Sequence, residues 1–274
     1  MIEARVIAHS ISPKGKSILT FQLKYPRFIH AEVMTHRVFS RNASSSRAIP
    51  VKTMLAQVWN DPAMPIHWGI NQPGMQAKDQ AYGLRRRVAK AVWRGAAKAA
   101  CVFAWGMMKL NIHKQVANRL LEPFQFMHVV LTSTEWQNFY DLRAHPDAQP
   151  EIQRLAWNMM EAARLTPARH LSYGEWHLPY VTGEELHSYP TDVLLKLSTA
   201  RCARVSFLKH DGKKPSVSED VNLFDRLVGS DPIHASPTEH QAKPLGNIYE
   251  QSGNFVGWKQ HRKDIECKPK KARV

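Results

Sequence analysis

Cysteine is scarce and carries no pattern. Cys101, Cys202 and Cys267 are the 3 cysteines in 274 residues, far apart and without a CxxC pair. Neither a disulfide framework nor a thiolate zinc site is indicated, and a reducing cytoplasm is the expected compartment. Long apolar runs are lacking as well. The opening Met1-Ile2-Glu3-Ala4-Arg5 has no signal-peptide core, and the most apolar helical stretch, Ala96 to Met108, is interrupted by Lys98; no secretion signal and no membrane span are expected. Acidic residues are few: 23 Asp and Glu against 38 Lys and Arg leave a net charge of +15. Such an excess implies polyanionic partners, whether nucleic acid, acidic lipid or phosphorylated small molecules. No helix-turn-helix, zinc-finger or RNA-binding signature is legible, which disfavours nucleic acid, and no repeat or low-complexity linker divides the chain. The basic runs Arg85-Arg86-Arg87 and Lys268-Pro269-Lys270-Lys271-Ala272-Arg273 read as solvated surface, the second as a flexible tail over 268–274.

What is present is an ordinary globular balance, 43% hydrophobic and 22% charged, long enough for one sizeable core. Ser17 to Tyr25 alternates, with Leu19, Phe21, Leu23 and Tyr25 on one side, as a half-buried strand does. Phe28 to Val38 reads as a helix stacking Glu32, Thr35 and His36 on one face, and Phe39 to Pro50 as a ligand-holding loop. The stretch through Gln80 reads as irregular, and helix is expected from Tyr82 to Lys109. Further on come a strand at Met127 to Thr132, a helix from Thr134 (as N-cap) to Arg143 and a helix at Glu151 to Arg164. The last third offers a loop at Leu171 to Thr182, a helix at Thr191 to Ala200, a strand at Ala203 to Phe207 and an amphipathic helix at Ser218 to Val228. Mixed strands and helices point to an α/β or α+β domain.

The chemistry concentrates in Thr35-His36-Arg37-Val38-Phe39-Ser40-Arg41-Asn42-Ala43-Ser44-Ser45-Ser46-Arg47. Arginine offers a rigid fork of donors that suits phosphate, and serine hydroxyls with loop amides complete an anion cradle. A phosphate or nucleotide site is the functional reading; a solvated surface loop is the bland one.

This segment resembles the signature of the flavin-dependent thymidylate synthases, Arg-His-Arg followed after seven residues by Ser, with Asn-Glu-x-Ser-x-Arg overlapping it. His36, Arg37, Ser40, Asn42, Ser45 and Arg47 match in register. Asn118-Arg119-Leu120-Leu121-Glu122-Pro123, Asn138-Phe139-Tyr140-Asp141-Leu142-Arg143, Ala148-Gln149-Pro150-Glu151-Ile152, Arg201-Cys202-Ala203-Arg204-Val205-Ser206-Phe207 and His234-Ala235-Ser236-Pro237-Thr238-Glu239-His240 resemble further family segments. The resemblance implies a single domain over 1–274 with a mixed sheet and flanking helices, assembled as a homotetramer. It implies FAD held by His36, Arg37, Val38, Asn138, Ser206 and Ser236, and deoxyuridylate held by Glu32, Ser45, Ser46, Arg47, Arg119 and Arg143. Arg143 and Ser45 are the implied catalytic residues, with NADPH and methylenetetrahydrofolate as co-substrates. Three anionic reactants account for a basic chain without nucleic acid.

Departures from the pattern are Thr35 where arginine opens the triplet, Ala43 in place of glutamate, and Glu32 where glutamine is often seen. The segments at 201–207 and 234–240 come last, whereas shorter members carry them first, an order that suggests circular permutation. Two alternatives remain: a related one-carbon transfer with a hydroxymethyl or otherwise modified product, and a non-enzymatic nucleic-acid-binding protein. His234, Glu239 and His240 lack HExxH spacing, so no metal is expected. Tyr173, Trp176 and His177 form either a folate pocket or a packed loop.

Overall fold

The computed structural model of the protein describes residues 1–208 and 212–267; the basic tail expected at 268–274 lies outside them. A hairpin starts the chain: β1 (Glu3–Ile11) and β2 (Ser17–Pro26) run antiparallel around a turn in which Gly15 takes φ +80°, a region open to glycine at little cost. A 3₁₀ turn over Arg27–Ile29 and the one-turn helix α1 (His30–Val33) lead to β3 (Ser40–Ala43). Then come helices α2 (Val51–Asn60), α3 (Gly83–Lys109) and α4 (Lys114–Ala117), and a 3₁₀ stretch over Asn118–Phe124. Strand β4 (Phe126–Ser133), helices α5 (Gln137–Arg143) and α6 (Pro150–Leu165), and strand β5 (Arg169–His170) complete the main sheet, ordered β3-β4-β2-β1-β5. The β1–β5 pairing is parallel and the other three are antiparallel, so the sheet is mixed.

The alternation in β2 decides what covers each face. Phe21, Leu23 and Tyr25 stand opposite Leu131, Val129 and Met127 and share one buried core with Trp136, just before α5, and with Phe139, Ile152, Leu155 and Met159 from α5 and α6. Gln149 caps α6 by accepting from the Glu151 and Ile152 amides, with Pro150 at the first helical position, where its missing N–H is harmless. The other face carries Thr20 opposite Thr132 and Gln22 opposite Val130. It is covered by the last third: α7 (Gly183–Ser188), α8 (Thr191–Arg204), α9 (Val217–Val228), the strands β6 (Ala242–Pro244), β7 (Gln251–Ser252), β8 (Phe255–Val256) and β9 (Trp258–Gln260), and α10 (His261–Glu266). Arg201, 1% exposed, knits this layer by donating to Asp220 at 2.9 Å, to both Glu185 oxygens at 2.8 and 2.7 Å and to Tyr180 O at 2.8 Å. Burial alone would raise the Glu185 carboxyl, but Arg201 outweighs it and holds the group at about 2.

Several expected elements differ. The helix expected over Phe28 to Val38 stops at Val33, where the Thr35 hydroxyl donates to Glu32 O at 2.7 Å and competes with the backbone ladder. The expected loop from Phe39 begins as β3, paired with β4 through Ser40 to Ala43. Val51–Asn60 is helical inside the stretch read as irregular, its Met54 and Val58 packing on Ala97, Cys101 and Leu121. Thr134 does not cap α5; its hydroxyl accepts from the Val256 amide at 3.0 Å and the helix begins at Gln137. No strand forms at Ala203 to Phe207: α8 continues to Arg204 and is stopped by Val205 at φ 58°.

Candidate functional site

His36 lies in the turn between α1 and β3, buried at 6% exposure, with Phe39 stacked at 5.8 Å and Phe139 edge-on at 4.9 Å. Arg143, the last residue of α5, donates from Nε to His36 Nε2 at 2.9 Å and from Nη2 to Thr35 Oγ1 at 3.3 Å. An arginine keeps its protons, so His36 Nε2 accepts and the ring proton sits on Nδ1. Burial first, then the Arg143 charge, hold His36 below its ordinary value and therefore neutral at pH 7. Thr35 has a physical role here: an arginine at 35 would set a second cation beside Arg143, whereas a hydroxyl accepts from it.

Arg143 and Glu32 line a common cavity of about 890 Å³. Its other walls are Trp93 and Phe28, in edge contact at 6.2 Å, and a hairpin over 66–81. The hairpin is closed by the Gly69–Gln80 bridge, by Ile70 N–H donating to Asp79 O at 2.8 Å and by Ala81 N–H donating to Trp68 O at 2.8 Å. A Cβ on Gly69 would lie 2.2 Å from the Ala77 Cβ, so only glycine fits there. Two bonds latch the hairpin to α6 and the turn before it: Ile66 N–H donates to the buried Glu151 carboxylate at 2.7 Å, and Gln76 Nε2–H donates to Asp147 O at 2.8 Å.

The serine loop after β3 is fixed from below. Asn118, 0% exposed, donates to Ser46 O at 2.7 Å and Ile49 O at 2.9 Å. Ser46 Oγ donates to Glu122 at 2.9 Å, and Glu122 also accepts from Arg119 at 2.8 Å and pairs with Arg27 at 3.0 Å. Arg119, Arg47 and Ser45 are left at the surface, where cations and a hydroxyl suit a phosphate. Ser44, Ser46, Arg204 and Ser206 line a smaller cavity of about 270 Å³, and the buried Nε of Arg204 has no hydrogen-bond partner among the described residues.

A row of hydrogen bonds crosses the polar face of the sheet. The Asn42 amide donates to His240 Nε2 at 3.0 Å and to Ser236 O at 3.1 Å. His240 Nδ1 then donates to Thr132 at 2.8 Å, Thr132 to Thr20 at 2.7 Å, Thr20 to His177 Nε2 at 2.8 Å, and His177 Nδ1 to Ser10 at 2.9 Å. Every hydroxyl and ring nitrogen gives or takes once in one direction, which requires both imidazoles to be neutral. Burial lowers each to about 3, with nearby histidine and arginine charges assisting at His177.

The structure thus brings Glu32 and Arg143 to one cavity, with His36 outside its lining and bonded to Arg143, Ser46 and Ser206 to another, and Ser236 beside Asn42. Arg37, Val38 and Asn138 are exposed and join neither cavity lining. His177 belongs to the buried row, which fits a packed loop, and Arg169 and Trp176 line a separate cavity of about 480 Å³ by β5, at the sheet edge opposite β3. Glu239 is paired with Arg262, and no cluster of metal-ligating side chains occurs among the described residues. Sequence reasoning missed Asn118, Glu122, Thr132, His240 and Gln76 as supports. The first two flank Arg119 in a segment already quoted, but nothing in spacing says that they face inward.

The profile of one protein family, Thy1, described as thymidylate synthase complementing protein, matches residues 6–168. Two solved structures are similar: a UMP/dUMP methylase PolB from Streptomyces cacaoi with 5-Br dUMP, at 18% identity and TM-score 0.49 over 60% of this chain and 90% of that one; and the same methylase with 5-Br UMP, at 19% identity and TM-score 0.48 over 60% and 88%. No curated protein sequence matches. No helix among the described residues is long and apolar enough to cross a membrane.

Proposed function

Because this chain belongs to the Thy1 family of thymidylate synthase complementing proteins, we propose that it is a flavin-dependent thymidylate synthase, converting deoxyuridylate to thymidylate with methylenetetrahydrofolate and NADPH. The observation that carries the reading is the Arg143–His36 contact, which joins two motif segments 107 residues apart inside the matched stretch. The residues also suit a flavin dinucleotide: the Ser44 and Ser206 hydroxyls and an unpartnered buried Arg204 N–H around one cavity are donors awaiting an anion. Ser206 and Ser236 would hold that group with His36, and Arg37, Val38 and Asn138 would meet it from the surface. Bound FAD, once reduced by NADPH, supplies reducing equivalents, and the folate supplies the carbon.

The chain's own contribution is binding, orientation and charge. Arg47, Arg119, Ser45 and Ser46 hold the nucleotide phosphate on a loop that Asn118 and Glu122 keep rigid. Arg143 faces the pyrimidine and stabilises the negative charge that develops on the ring, its direction set by His36 and Thr35. Neutral His36 lets the guanidinium keep its full charge for the substrate. The cysteines are not needed: Cys202 is fully buried, and burial raises its thiol well above the usual range. The resemblance supports a homotetramer, in which the exposed Arg47 would be open to a neighbouring copy.

The test is the visible spectrum of the purified protein with FAD and deoxyuridylate titrated in. Flavin bands that respond to the nucleotide are expected; absence of flavin binding at excess FAD overturns the reading. Mass spectrometry of the product distinguishes thymidylate from a hydroxymethylated nucleotide.

A further inference from the structure

The hairpin over 66–81 is tied to itself more firmly than to the body of the protein. Besides the Gly69–Gln80 bridge and the two backbone bonds that close it, His67 Nε2–H donates to Ala77 O at 2.8 Å and Gln72 Nε2–H to Gln76 O at 2.6 Å. Among the described residues two hydrogen bonds lead outward, Ile66 N–H to Glu151 and Gln76 Nε2–H to Asp147 O, and no ion pair joins the hairpin to its surroundings. Met75 at the tip is fully exposed. Trp68 meets Trp93 edge-on at 6.2 Å, but its indole N–H is buried with no partner among the described residues. A buried donor left unpaired opposes the closed position, so the contacts that hold the hairpin down are few and one of its own groups works against them.

We propose that this hairpin is the gate of the 890 Å³ cavity, swinging as one rigid body, and that the Gln76–Asp147 bond is its latch. The two ends of the segment show where it turns. Ala63, 0% exposed, is pinned by donating to Phe124 O at 2.8 Å and accepting from Trp93 Nε1–H at 2.9 Å, so movement starts after it, at Met64 and Pro65. At the far end Gly83 takes φ +54° where α3 begins, with open space around the position of a Cβ; a glycine there absorbs a change of backbone angle at little cost. The hairpin brings His67, Gln76 and Lys78 to a cavity whose other lining includes Glu32, Trp93 and Arg143. A ligand enters while the latch is open and is enclosed when Gln76 bonds again, which is how a hinged lid shuts water out of a site. The inference concerns access and does not depend on which ligand the cavity takes.

The experiment is hydrogen exchange of the full chain resolved at single amides, because three amides report different things. Ile66 N–H is bonded across the gate, whereas Ile70 and Ala81 N–H are bonded inside the hairpin. In the wild type Ile66 should exchange faster than the other two. Gln76→Ala, a change at an exposed position, should speed Ile66 by about 5- to 10-fold, the effect of losing one neutral hydrogen bond, and leave Ile70 and Ala81 as they were. Gln76→Glu, which keeps the length of the side chain but cannot donate, should do the same. Acrylamide quenching of tryptophan fluorescence should rise in both variants, since Trp93 lines the cavity. If all three amides speed up together, the hairpin unfolds and does not swing, and the inference is wrong. It is equally wrong if Ile66 and the quenching stay at their wild-type values, because Gln76 then latches nothing.

Discussion

Arg143 is held by two acceptors of different kinds, a ring nitrogen and a hydroxyl, and lysine cannot reproduce that fork. Arg143→Lys should lower turnover by about 100-fold or more, as loss of an aimed charge at a reacting ring does, with FAD content unchanged; steady-state kinetics and the flavin spectrum check both halves. Thr132→Val removes the hydroxyl between His240 and Thr20 and strands buried polar groups. A loss of about 2 kcal/mol is expected in urea unfolding. The two buried imidazoles also set an acid limit. In the unfolded chain they take up protons below pH 6.5, whereas the native protein takes up none until about 3. Their contribution is therefore complete above pH 6.5 and declines as pH falls toward 3, by about 1.4 kcal/mol per unit for each histidine. Unfolding midpoints measured across that window should fall steadily, and a protein without this slope would refute the neutral row. At this scale the sequence displayed the groups proposed to touch ligands, because serine and arginine cluster visibly at 40–47. The groups that hold them, Asn118 and Glu122, are single polar letters among apolar ones, and only tertiary contact gives them meaning.

Elements were legible where period and burial agreed. The alternation of β2 and the stripe of α6 each face one core, and both formed as expected. They were misread where a side chain or a distant segment overrules the local pattern. Thr35 turns the chain out of α1, and β3 exists because β4 offers an edge far along the chain, Ser40 pairing with Thr132 at a separation no turn signal could show. Helix α2 was hidden by the prolines after it, although its Met54 and Val58 pack on α3. The hairpin over 66–81 depends on one residue type at one place. Gly69→Ala should disorder it by driving a methyl group into Ala77, raising protease sensitivity between 66 and 81 and weakening ligands of the large cavity. FAD binding should persist, since Ser44, Ser46, Arg204 and Ser206 lie elsewhere.

The outside of α3 concerns the molecule as a whole. Ala97, Cys101 and Ala104 are its buried side, yet Leu84, Val88, Val92, Val102 and Phe103 are all more than half exposed. An apolar stripe this long on a lone chain is expected to be covered, and a second copy could do so if the cations Arg87, Arg94 and Lys98 stay at the rim. Val92→Asp should split the proposed tetramer into smaller species in sedimentation velocity while leaving the thermal midpoint of the subunit within a few degrees; an unaltered mass would place the contact elsewhere.

The row from Asn42 to Ser10 also determines how the chain can be divided. Asn42, Thr132, Thr20 and Ser10 belong to the stretch matched by the family, whereas His177 and His240 belong to the C-terminal part beyond it. Either piece alone would carry half of every bond in the row but Thr132–Thr20, with nothing to complete it. The two pieces are thus mutual templates: made separately and mixed, they have reason to recognise one another, and the gene can be read as a lock and its key written end to end.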